Sequence, residues 1–474
     1  MTSSPTTDIK FGTDGWRGVI ADDFTFANAR IVAQAIARYV VRCEDARKGV
    51  IIGYDHRFAS DTVAAAVANV ISSTGTPVWL TDKPCPTPAV SLLVRQRTAA
   101  GGLMITASHN PYQWNGIKYK ASYGSSALPS IVAQIEIELA AVQRDTVPPL
   151  PPRKALIKSL EPRTPYLDTV EKLVDWDRLR KSKLRFVSDV MHGSATGLLV
   201  ELFHRNGVTC EEIRGSRDPR FGGFHPEPIE PHIAPLGTAV VAGKFDAGLC
   251  ADGDGDRIGA IDRDGSFVNP HQIFALLVWH LAGTRNLPGD IAKTFSVTKL
   301  IDKLATKFGR TLHETPIGFK YICELMLEQN ILIGGEESGG IGTNLYIPER
   351  DATVSALFLA ELMAWHGKSL GELLAALYAE FGEYHYGRVD LDLKPGEKER
   401  AIAYFTDPKL TRLLDWPITR REDMDGIKLY PADLGWVLIR ASGTENLLRV
   451  YCETSKADTT TRVLEGVKKI VQNL

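Results

Sequence analysis

The sequence has almost no excess of charge of either sign. Its 474 residues include 55 Lys and Arg against 57 Asp and Glu, which gives a formal net charge of -2. Proteins that bind nucleic acids or acidic membrane surfaces usually carry a basic excess. The balance therefore argues against a nucleic-acid or membrane partner. An anionic ligand would need a local group of Lys, Arg and backbone N–H donors.

Paired cysteines and long apolar runs are also missing. The six cysteines are scattered and none forms a C-x-x-C pair, which argues against a disulfide scaffold and a zinc site. The apolar stretches are too short to span a membrane, and the first residues lack the basic and apolar segments of a secretory signal. These features predict a cytoplasmic protein with reduced, mostly buried thiols.

What the sequence does contain is enough apolar material for several folded domains. Hydrophobic residues make up 44% and charged residues 24% of the chain, as in ordinary globular proteins. At about 150 residues per domain, the length predicts three domains, with four as the alternative.

An apolar strand followed by a polar, glycine-containing loop recurs three times along the chain. The loops are 106–111, 252–257 and 334–339, and helical segments separate the strands. Alternating strands and helices predict α/β units with largely parallel sheets, whose ligands bind beyond the carboxyl ends of the strands. Three such units could direct three loops toward one cleft.

The domain boundaries follow from a proline-rich stretch and a change of pattern. Residues 146–153 read TVPPLPPR, which is typical of a stiff connection. After helical segments at 352–366 and 370–381, shorter strands and a helix from Ala457 predict a smaller α+β domain. We therefore expect domains at residues 1–153, 154–264, 265–382 and 383–474.

The loop DGDGDR carries the strongest chemical signal. Asp252, Asp254 and Asp256 alternate with glycines, which allow a turn tight enough for the carboxylates to converge. Converging carboxylates either raise their pKa values or bind a cation, and oxygen ligands favour Mg²⁺, Ca²⁺ or Mn²⁺. An EF-hand is excluded, because its sixth and twelfth positions are Arg257 and Arg263. A surface turn of Asp and Gly is the alternative.

Two further loops contain reactive or hydrogen-bonding side chains. Ser108 lies in TASHNP after a strand, where a nucleophile would be accessible, and Lys118 could bind a phosphate or act as a base. A Ser or Asx turn ended by Pro111 is the alternative. The loop GGEESGG offers carboxylates and a hydroxyl that suit the vicinal hydroxyls of a sugar. Taken alone, this loop is more typical of a flexible loop with solvated glutamates.

Two more turns combine arginine with polar groups. RASGTEN, from Arg440, provides an arginine, hydroxyls and backbone N–H groups that could hold a phosphate. GTDGWRG would present Arg17 to an anion in a similar way. Each turn is weak evidence alone, since a strand-to-helix turn with a cap looks the same.

Taken together, these segments resemble the α-D-phosphohexomutase superfamily. FGTDGWRG, TASHNPYQWNGIK, DGDGDR, GEESGG and RASGTEN occur in the order of that family and extend over nearly the whole chain. The resemblance implies an α/β fold of four domains around a central cleft. Three domains would share a mixed-sheet α/β topology, and the C-terminal domain would be smaller and α+β.

The resemblance also implies roles for individual residues. Ser108 matches the serine that carries a phosphoryl group, and its phosphoserine oxygen would join Asp252, Asp254 and Asp256 around one Mg²⁺. The matching catalytic residues are Arg17, Lys118, His109 and Arg257. The matching substrate-binding residues are Lys320, Glu336, Ser338, Arg440, Ser442, Gly443 and Thr444, of which the last four match the site of the phosphate that is not transferred.

The implied reaction interconverts glucose 1-phosphate and glucose 6-phosphate through a phosphoserine enzyme, with glucose 1,6-bisphosphate as intermediate and activator. Glucose is favoured because Lys320 and Gly340 stand where members that also accept mannose usually have histidines. A phosphomannomutase and a glucose 1,6-bisphosphate-forming phosphotransferase are the alternatives, and glucosamine phosphate is a lesser candidate substrate. The expected partners are small sugar phosphates, and the protein would be a monomer or homodimer.

Overall fold

A computed structural model describes residues 9–12, 14–145, 150–441 and 447–474. These residues form four sheets, each with its own helices. We name them units I (residues 9–160), II (163–268), III (269–381) and IV (385–474). No helix in the described ranges is both long enough and apolar enough to cross a membrane.

Unit I has a seven-stranded sheet with the order β1-β5-β4-β2-β3-β7 and with β6 beside β5. Its strands are β1 Trp16–Val19, β2 Val50–Tyr54, β3 Val78–Thr81, β4 Gly101–Ile105, β5 Trp114–Ala121, β6 Ser125–Ser126 and β7 Ile157–Leu160. Its helices are α1 Phe26–Cys43, α2 Ser60–Ser73, α3 Thr87–Gln96 and α4 Pro129–Arg144. Strand β7 follows the proline-rich stretch in sequence, yet it pairs with β3.

Unit II has a five-stranded sheet with the order β12-β11-β10-β8-β9. Its helices are α5 Arg163–Val170, α6 Trp176–Ser182, α7 Leu198–Arg205 and α8 Ala234–Gly243. Its strands are β8 Arg185–Asp189, β9 Thr209–Ile213, β10 Ala247–Ala251, β11 Ile258–Asp262 and β12 Phe267–Val268.

Unit III has a four-stranded sheet with the order β14-β13-β15-β16. Its helices are α9 Pro270–Val278, α10 Leu300–Lys307, α11 Phe319–Glu328, α12 Ala352–His366 and α13 Leu370–Phe381, with a π-helical turn at Trp279–Thr284. Its strands are β13 Asp290–Thr294, β14 Leu312–Thr315, β15 Ile331–Gly335 and β16 Ile341–Thr343.

Unit IV has an antiparallel sheet with the order β17-β22-β21-β20-β19-β18. Its strands are β17 His385–Asp392, β18 Arg412–Leu413, β19 Trp416–Glu422, β20 Ile427–Pro431, β21 Gly435–Ala441 and β22 Leu447–Thr454. Its helices are α14 Glu397–Thr406 and α15 Ala457–Gln472. The α/β class, with three mixed sheets and a fourth α+β unit, is thus confirmed.

The first three sheets share one local arrangement that positions their loops. In each, a parallel strand (β4, β10 or β15) runs into a loop and returns as the antiparallel strand β5, β11 or β16. The three predicted loops therefore lie at equivalent sheet edges. The third loop is shorter than expected, because Gly334 and Gly335 continue β15 and pair with Gly342 and Ile341.

The apolar core joins the first three units more extensively than the fourth. One continuous cluster contains Val90 of unit I, Phe203 of unit II and Leu357 of unit III. Unit IV has its own core, and a smaller aromatic cluster that includes Phe295 and Trp436 packs it against unit III. Because apolar burial is the main favourable term in domain association, units I to III form the scaffold on which unit IV packs.

Two local expectations have clear outcomes. Cys43 is exposed and the other five cysteines are buried, and none forms a disulfide bond, as predicted. The sequence also predicts a helix at residues 61–74 with Ser60 as its N-cap. This cap is wrong, because α2 begins at Ser60 and Ala59 is the N-cap. The Ser60 hydroxyl instead donates a 2.8 Å hydrogen bond to the buried carboxylate of Asp55. This hydrogen bond stays between the end of β2 and the start of α2, since Asp55 is five residues before Ser60.

Candidate active site

Ser108 lies in the loop after β4, with its hydroxyl directed at the acidic loop of unit II. The side chain is buried, and its Oγ donates a 2.8 Å hydrogen bond to Oδ2 of Asp252. The backbone is left-handed, with φ of 53°, a conformation that costs a non-glycine residue some energy and is held by its surroundings. The Ser108 N–H donates to Oγ1 of Thr106 at 2.8 Å.

Arg57 fixes this loop through hydrogen bonds to its backbone carbonyl oxygens. The guanidinium is fully buried and donates to the carbonyl oxygens of Ser108 and Asn110 at 2.6 and 2.7 Å, and to those of Pro111 and Trp114 at 2.8 and 2.9 Å. One rigid fork therefore contacts both ends of the loop. A flexible single-point donor could not do so with the same geometry.

Asp55 supports the same loop from the neighbouring strand. Its Oδ2 accepts a hydrogen bond from Thr106 at 2.6 Å and lies 3.3 Å from Nε of Arg57. The sequence interpretation did not assign roles to Asp55 and Arg57. Their position after β2, which pairs in parallel with β4, was the available signal, because the carboxyl ends of neighbouring parallel strands share one edge.

The three aspartates form a compact, fully buried group. One ligand atom from each of Asp252, Asp254 and Asp256 lies within 4.8 Å of the others. Oδ1 of Asp254 and Oδ1 of Asp256 are buried and have no hydrogen-bond partner among the described residues. Buried carboxylate oxygens without donors are costly unless they bind a cation. The group therefore fits a hard divalent ion such as Mg²⁺.

The carboxylates perturb one another strongly. Burial and the charges of Asp254 and Asp256 raise the pKa of Asp252 well above its ordinary value. Burial also opposes ionisation of Asp254, but Lys118 and the hydroxyls around it outweigh this and lower the pKa of Asp254. Thr87, at the start of α3, donates to Oδ2 of Asp254 at 2.5 Å.

Lys118 lies on β5 among three carboxylates. Its Nζ is 2.8 Å from Asp254, 2.9 Å from Asp256 and 3.1 Å from Asp14. Burial disfavours the charged amine, but these carboxylates outweigh burial and raise the pKa of Lys118 above its ordinary value. This arrangement favours the charged ammonium of Lys118. Its role, as a phosphate-binding cation or as a base, stays a prediction.

The other expected cations lie around the same loops. Arg17 on β1 donates a 2.5 Å hydrogen bond to Oδ1 of Asn110, two residues after Ser108. The Arg257 backbone N–H donates a hydrogen bond to Oδ1 of Asp252. The Arg257 guanidinium lies 3.5 Å from the carboxylate of Glu227.

His109 is placed so that its ring stays uncharged. Its Nδ1 is buried without a hydrogen-bond partner among the described residues. Burial, together with the neighbouring charges of Arg257 and Arg17, lowers the pKa of His109 well below its ordinary value. A neutral imidazole at this position adds no charge to loop 106–111, which carries Ser108 (the serine loop).

Arg350 connects loop 252–257, which carries the three aspartates (the acidic loop), to loop 334–339, which carries Glu336 (the glutamate loop). The sequence analysis did not identify Arg350. Its guanidinium lies 2.7 Å from Asp256, 2.8 Å from Asp14 and 3.1 Å from Glu336. Arg350 directly precedes Asp351, the N-cap of α12. This charged residue next to a helix N-terminus was the only feature of the local sequence that could have pointed to Arg350. Burial raises the pKa of Glu336, and the nearby Arg350 opposes that rise.

The glutamate loop packs directly on the acidic loop. The Ile258 N–H donates to the Gly339 carbonyl at 3.0 Å. Gly339 has φ of 87°, and a Cβ there would lie 2.6 Å from the Ile258 carbonyl oxygen. Only glycine fits this approach without displacement. Glu336 is buried and Ser338 half-buried in this loop.

The remaining predicted substrate residues lie in units III and IV. Lys320 is in the first turn of α11, next to Phe319, whose ring centroid is 5.6 Å from the Arg350 guanidinium. Arg440 is near the end of β21, and its Nε donates to Oδ1 of Asp425 at 2.8 Å. Ser442, Gly443 and Thr444 lie outside the described residues, so their roles stay predictions.

Comparison with protein families gives four matches in chain order. Residues 8–145 match phosphoglucomutase/phosphomannomutase alpha/beta/alpha domain I, residues 164–265 match domain II and residues 269–381 match domain III. Residues 427–470 match the C-terminal domain of the same family.

Individual relatives match over nearly their full length. A phosphoglucomutase/phosphomannomutase from Thermococcus kodakarensis is 28% identical, covering 98% of this chain and 99% of the relative. A phosphoglucosamine mutase from Paenarthrobacter aurescens is 30% identical, covering 98% and 97%. The crystal structure of a candidate phosphomannomutase from Thermus thermophilus is 32% identical with a TM-score of 0.85, covering 98% of this chain and 100% of that chain.

Proposed function

The chain belongs to the α-D-phosphohexomutase superfamily, and from that premise we propose that it interconverts glucose 1-phosphate and glucose 6-phosphate through phosphoserine 108. One observation carries the proposal: the Ser108 hydroxyl lies 2.8 Å from a carboxylate of a buried three-aspartate group. A phosphorylated hydroxyl at this place would lie beside any cation the aspartates hold. We also propose that the protein acts in the cytoplasm on free sugar phosphates.

In the first step, a free hydroxyl of the hexose monophosphate attacks the phosphorus carried on Ser108. The new bond from phosphorus to the sugar oxygen forms as the bond to the serine oxygen breaks. The sugar hydroxyl gives up its proton, and the departing Ser108 oxygen takes one up, so that no net proton is gained or lost. The product is a hexose 1,6-bisphosphate. The second step is the reverse reaction with the other phosphate, and it returns both the phosphoryl group to Ser108 and a proton to the sugar.

The chain's own residues would place and neutralise the transferring group. Arg57 and Asp55 fix the serine loop, so the attacked phosphorus would keep one position. Arg17, which bonds to Asn110 of that loop, and Lys118, which contacts Asp254 and Asp256, would add positive charge near the transferring group. Mg²⁺ bound by Asp252, Asp254 and Asp256 would supply further positive charge as the phosphoryl group moves.

The sugar would bind between the glutamate loop and unit IV. Glu336 and Ser338 would accept and donate hydrogen bonds to sugar hydroxyls, with Lys320 beside them. Arg440, together with Ser442, Gly443 and Thr444, would hold the phosphate that is not transferred. A site of arginine and hydroxyls recognises phosphate itself, so it would accept either end of the sugar.

Glucosamine phosphate is the second candidate substrate, because relatives at 30% identity are named phosphoglucosamine mutases. Two observations favour glucose. The Glu336 carboxylate is paired with Arg350, and Glu337 accepts a 2.7 Å hydrogen bond from Ser296. An ammonium group on the sugar would have to compete with Arg350 and Ser296 for these two carboxylates. Lys320 and Gly340 also support glucose over mannose.

A substrate panel and intact mass measurement would test this function. We expect a phosphate-sized mass increase that maps to Ser108 after incubation with glucose 1,6-bisphosphate. We also expect the highest kcat/KM with glucose 1-phosphate, ahead of mannose and glucosamine 1-phosphates. Preference for either of the other sugars would refute the substrate assignment. Release of glucose 1,6-bisphosphate in most turnovers would identify the phosphotransferase instead, and net release of inorganic phosphate would identify a phosphatase.

A further inference from the structure

Asp425 connects the proposed phosphate ligand of unit IV to a backbone segment of unit III. It lies in the turn between β19 and β20. Its Oδ1 accepts the 2.8 Å hydrogen bond from Nε of Arg440, and its Oδ2 accepts one from the Ile317 N–H at 2.9 Å. Both carboxylate oxygens are thus engaged, one within unit IV and one across the boundary. The side chains of Asp425 and Arg440 are each 21% exposed.

Ile317 belongs to a short segment that runs from the end of β14 to the start of α11. Residues 316–318 separate Thr315 from Phe319, and Gly318 adopts φ of 133°, which favours glycine. Beyond Gly318, the ring of Phe319 packs under Arg350, and Lys320 follows. The segment 315–320 is therefore held by Asp425 before Gly318 and by Arg350 after it.

Units III and IV also make polar contacts that do not involve Arg440. Lys428 donates to the Phe295 carbonyl at 2.5 Å, and Glu453 accepts a 2.9 Å hydrogen bond from the Lys299 N–H. These contacts, with the aromatic cluster around Phe295 and Trp436, hold the two units together. Loss of Asp425 should consequently leave the packing of unit IV intact while releasing Arg440 from segment 315–320.

We propose that Asp425 is a positioning residue that couples phosphate binding at Arg440 to the conformation of segment 315–320. The proposal rests on the proposed function, since it takes Arg440 as a phosphate ligand. A carboxylate on Nε fixes the plane of the guanidinium and leaves the edge formed by the two Nη atoms for a phosphate, which favours bidentate binding. The same carboxylate accepts a hydrogen bond from the Ile317 N–H. Segment 315–320, beside the proposed sugar site, and Arg440, at the proposed phosphate site, would therefore keep one relative position.

Asp425→Ala tests the coupling, with Asp423→Ala as the matched control, because Asp423 is an exposed acid in the same turn. We expect Asp425→Ala to raise KM for glucose 1-phosphate about tenfold, the effect of one charge-assisted hydrogen bond, and to lower kcat less. We also expect a smaller preference for glucose over mannose 1-phosphate, which a general loss of stability would not cause. Asp423→Ala should match the parent protein.

Hydrogen exchange and a double variant give independent readouts. The Ile317 amide should exchange faster in Asp425→Ala than in the parent, whereas the amides of β20 and β21 should not. In an Arg440→Ala background, Asp425→Ala should add less than about a twofold change in KM, because residues acting through one another are not additive. If Asp425→Ala does not fold, Asp425→Asn is measured instead, with the same direction expected.

The coupling would be refuted if Asp425→Ala kept the parent's KM and substrate preference, or if its full effect persisted without Arg440. Failure of the proposed function is a separate result, namely a parent protein that converts none of the hexose phosphates. In that case, calorimetric binding of glucose 1-phosphate to the parent and to Asp425→Ala still tests the coupling. Equal affinities would refute it, and weaker binding to the variant would support it.

Discussion

The hydroxyl of Ser108 and the carboxylate of Asp252 meet at 2.8 Å although 144 residues separate them in the chain. Ser108 follows β4 of unit I, and Asp252 follows β10 of unit II. The contact is reinforced by close backbone approach, since a Cβ on Gly253 would lie 2.5 Å from the Ser108 carbonyl oxygen. Two separate α/β units therefore build one centre.

The first prediction concerns the serine. Ser108→Ala should lower kcat/KM by at least about a thousandfold, because the residue that carries the phosphoryl group is lost. Ser72→Ala is the control, since Ser72 is also a buried serine but lies in α2, bonded to the Asn69 carbonyl. Coupled assays with purified variants would measure the effect. Comparable activity in Ser108→Ala and the parent would exclude a phosphoserine mechanism.

The second prediction concerns the metal. The three aspartates converge into one site only in the folded state, so Mg²⁺ should bind that state alone. At a Mg²⁺ concentration one hundred times its Kd, the folded protein should be stabilised by about 2.7 kcal/mol. Asp254→Asn should abolish this gain, whereas Asp264→Asn, which alters an exposed turn aspartate, should retain it. Thermal unfolding with and without EDTA provides the measurement. A gain that survives in Asp254→Asn would place the ion elsewhere.

The third prediction concerns Arg57. Arg57→Met should destabilise the protein by about 3–5 kcal/mol, because it leaves the buried Asp55 and several carbonyl oxygens without their donor. Arg57→Lys should be milder but should still lower kcat, since a lysine cannot reach both ends of the serine loop. Arg47→Lys, at an arginine side chain that is 91% exposed, is the control. Urea denaturation and steady-state kinetics would reveal whether the loop depends on the guanidinium.

The fourth prediction concerns pH and Lys428. Burial lowers the pKa of Lys428 to about 7, with Lys293 and Lys299 adding to the effect and Glu314 opposing it. Its ordinary value in the unfolded chain is about 10.4. Between these two pH values the unfolded state binds the proton and the folded state does not. The stability of the folded protein should consequently rise with pH, by up to about 1.4 kcal/mol per unit.

Lys428→Met removes this dependence. The parent should gain about 2 kcal/mol relative to the variant between pH 7 and pH 9. Lys409→Met changes an exposed lysine of unit IV and should behave as the parent does. Denaturation curves at both pH values supply the comparison. Parallel curves for the parent and Lys428→Met would show that the buried amine keeps its proton.

The sequence was informative wherever a local pattern has a local physical cause. The helices at 352–366 and 370–381 were predicted with the bounds observed, because these apolar segments begin after the N-caps Asp351 and Ser369 and end before Gly367 and Gly382. The strands before the three loops were also found, since short apolar runs bounded by turn residues are typical of buried strands. The acidic loop could be interpreted as a metal site because its three ligands are only two residues apart.

Only the tertiary structure revealed what holds these loops together. Arg57, Arg350 and Asp425 act on partners between 51 and 336 residues away, or across a unit boundary. A buried charge is tolerated where its partners converge in space, and convergence depends on how the sheets pack. The prediction for Ser60 failed for a local reason, because its hydroxyl bonds to Asp55, five residues earlier, and not to its own helix. The chain's order thus determined which side chains are available for chemistry, and the packing of four units decided which of them meet.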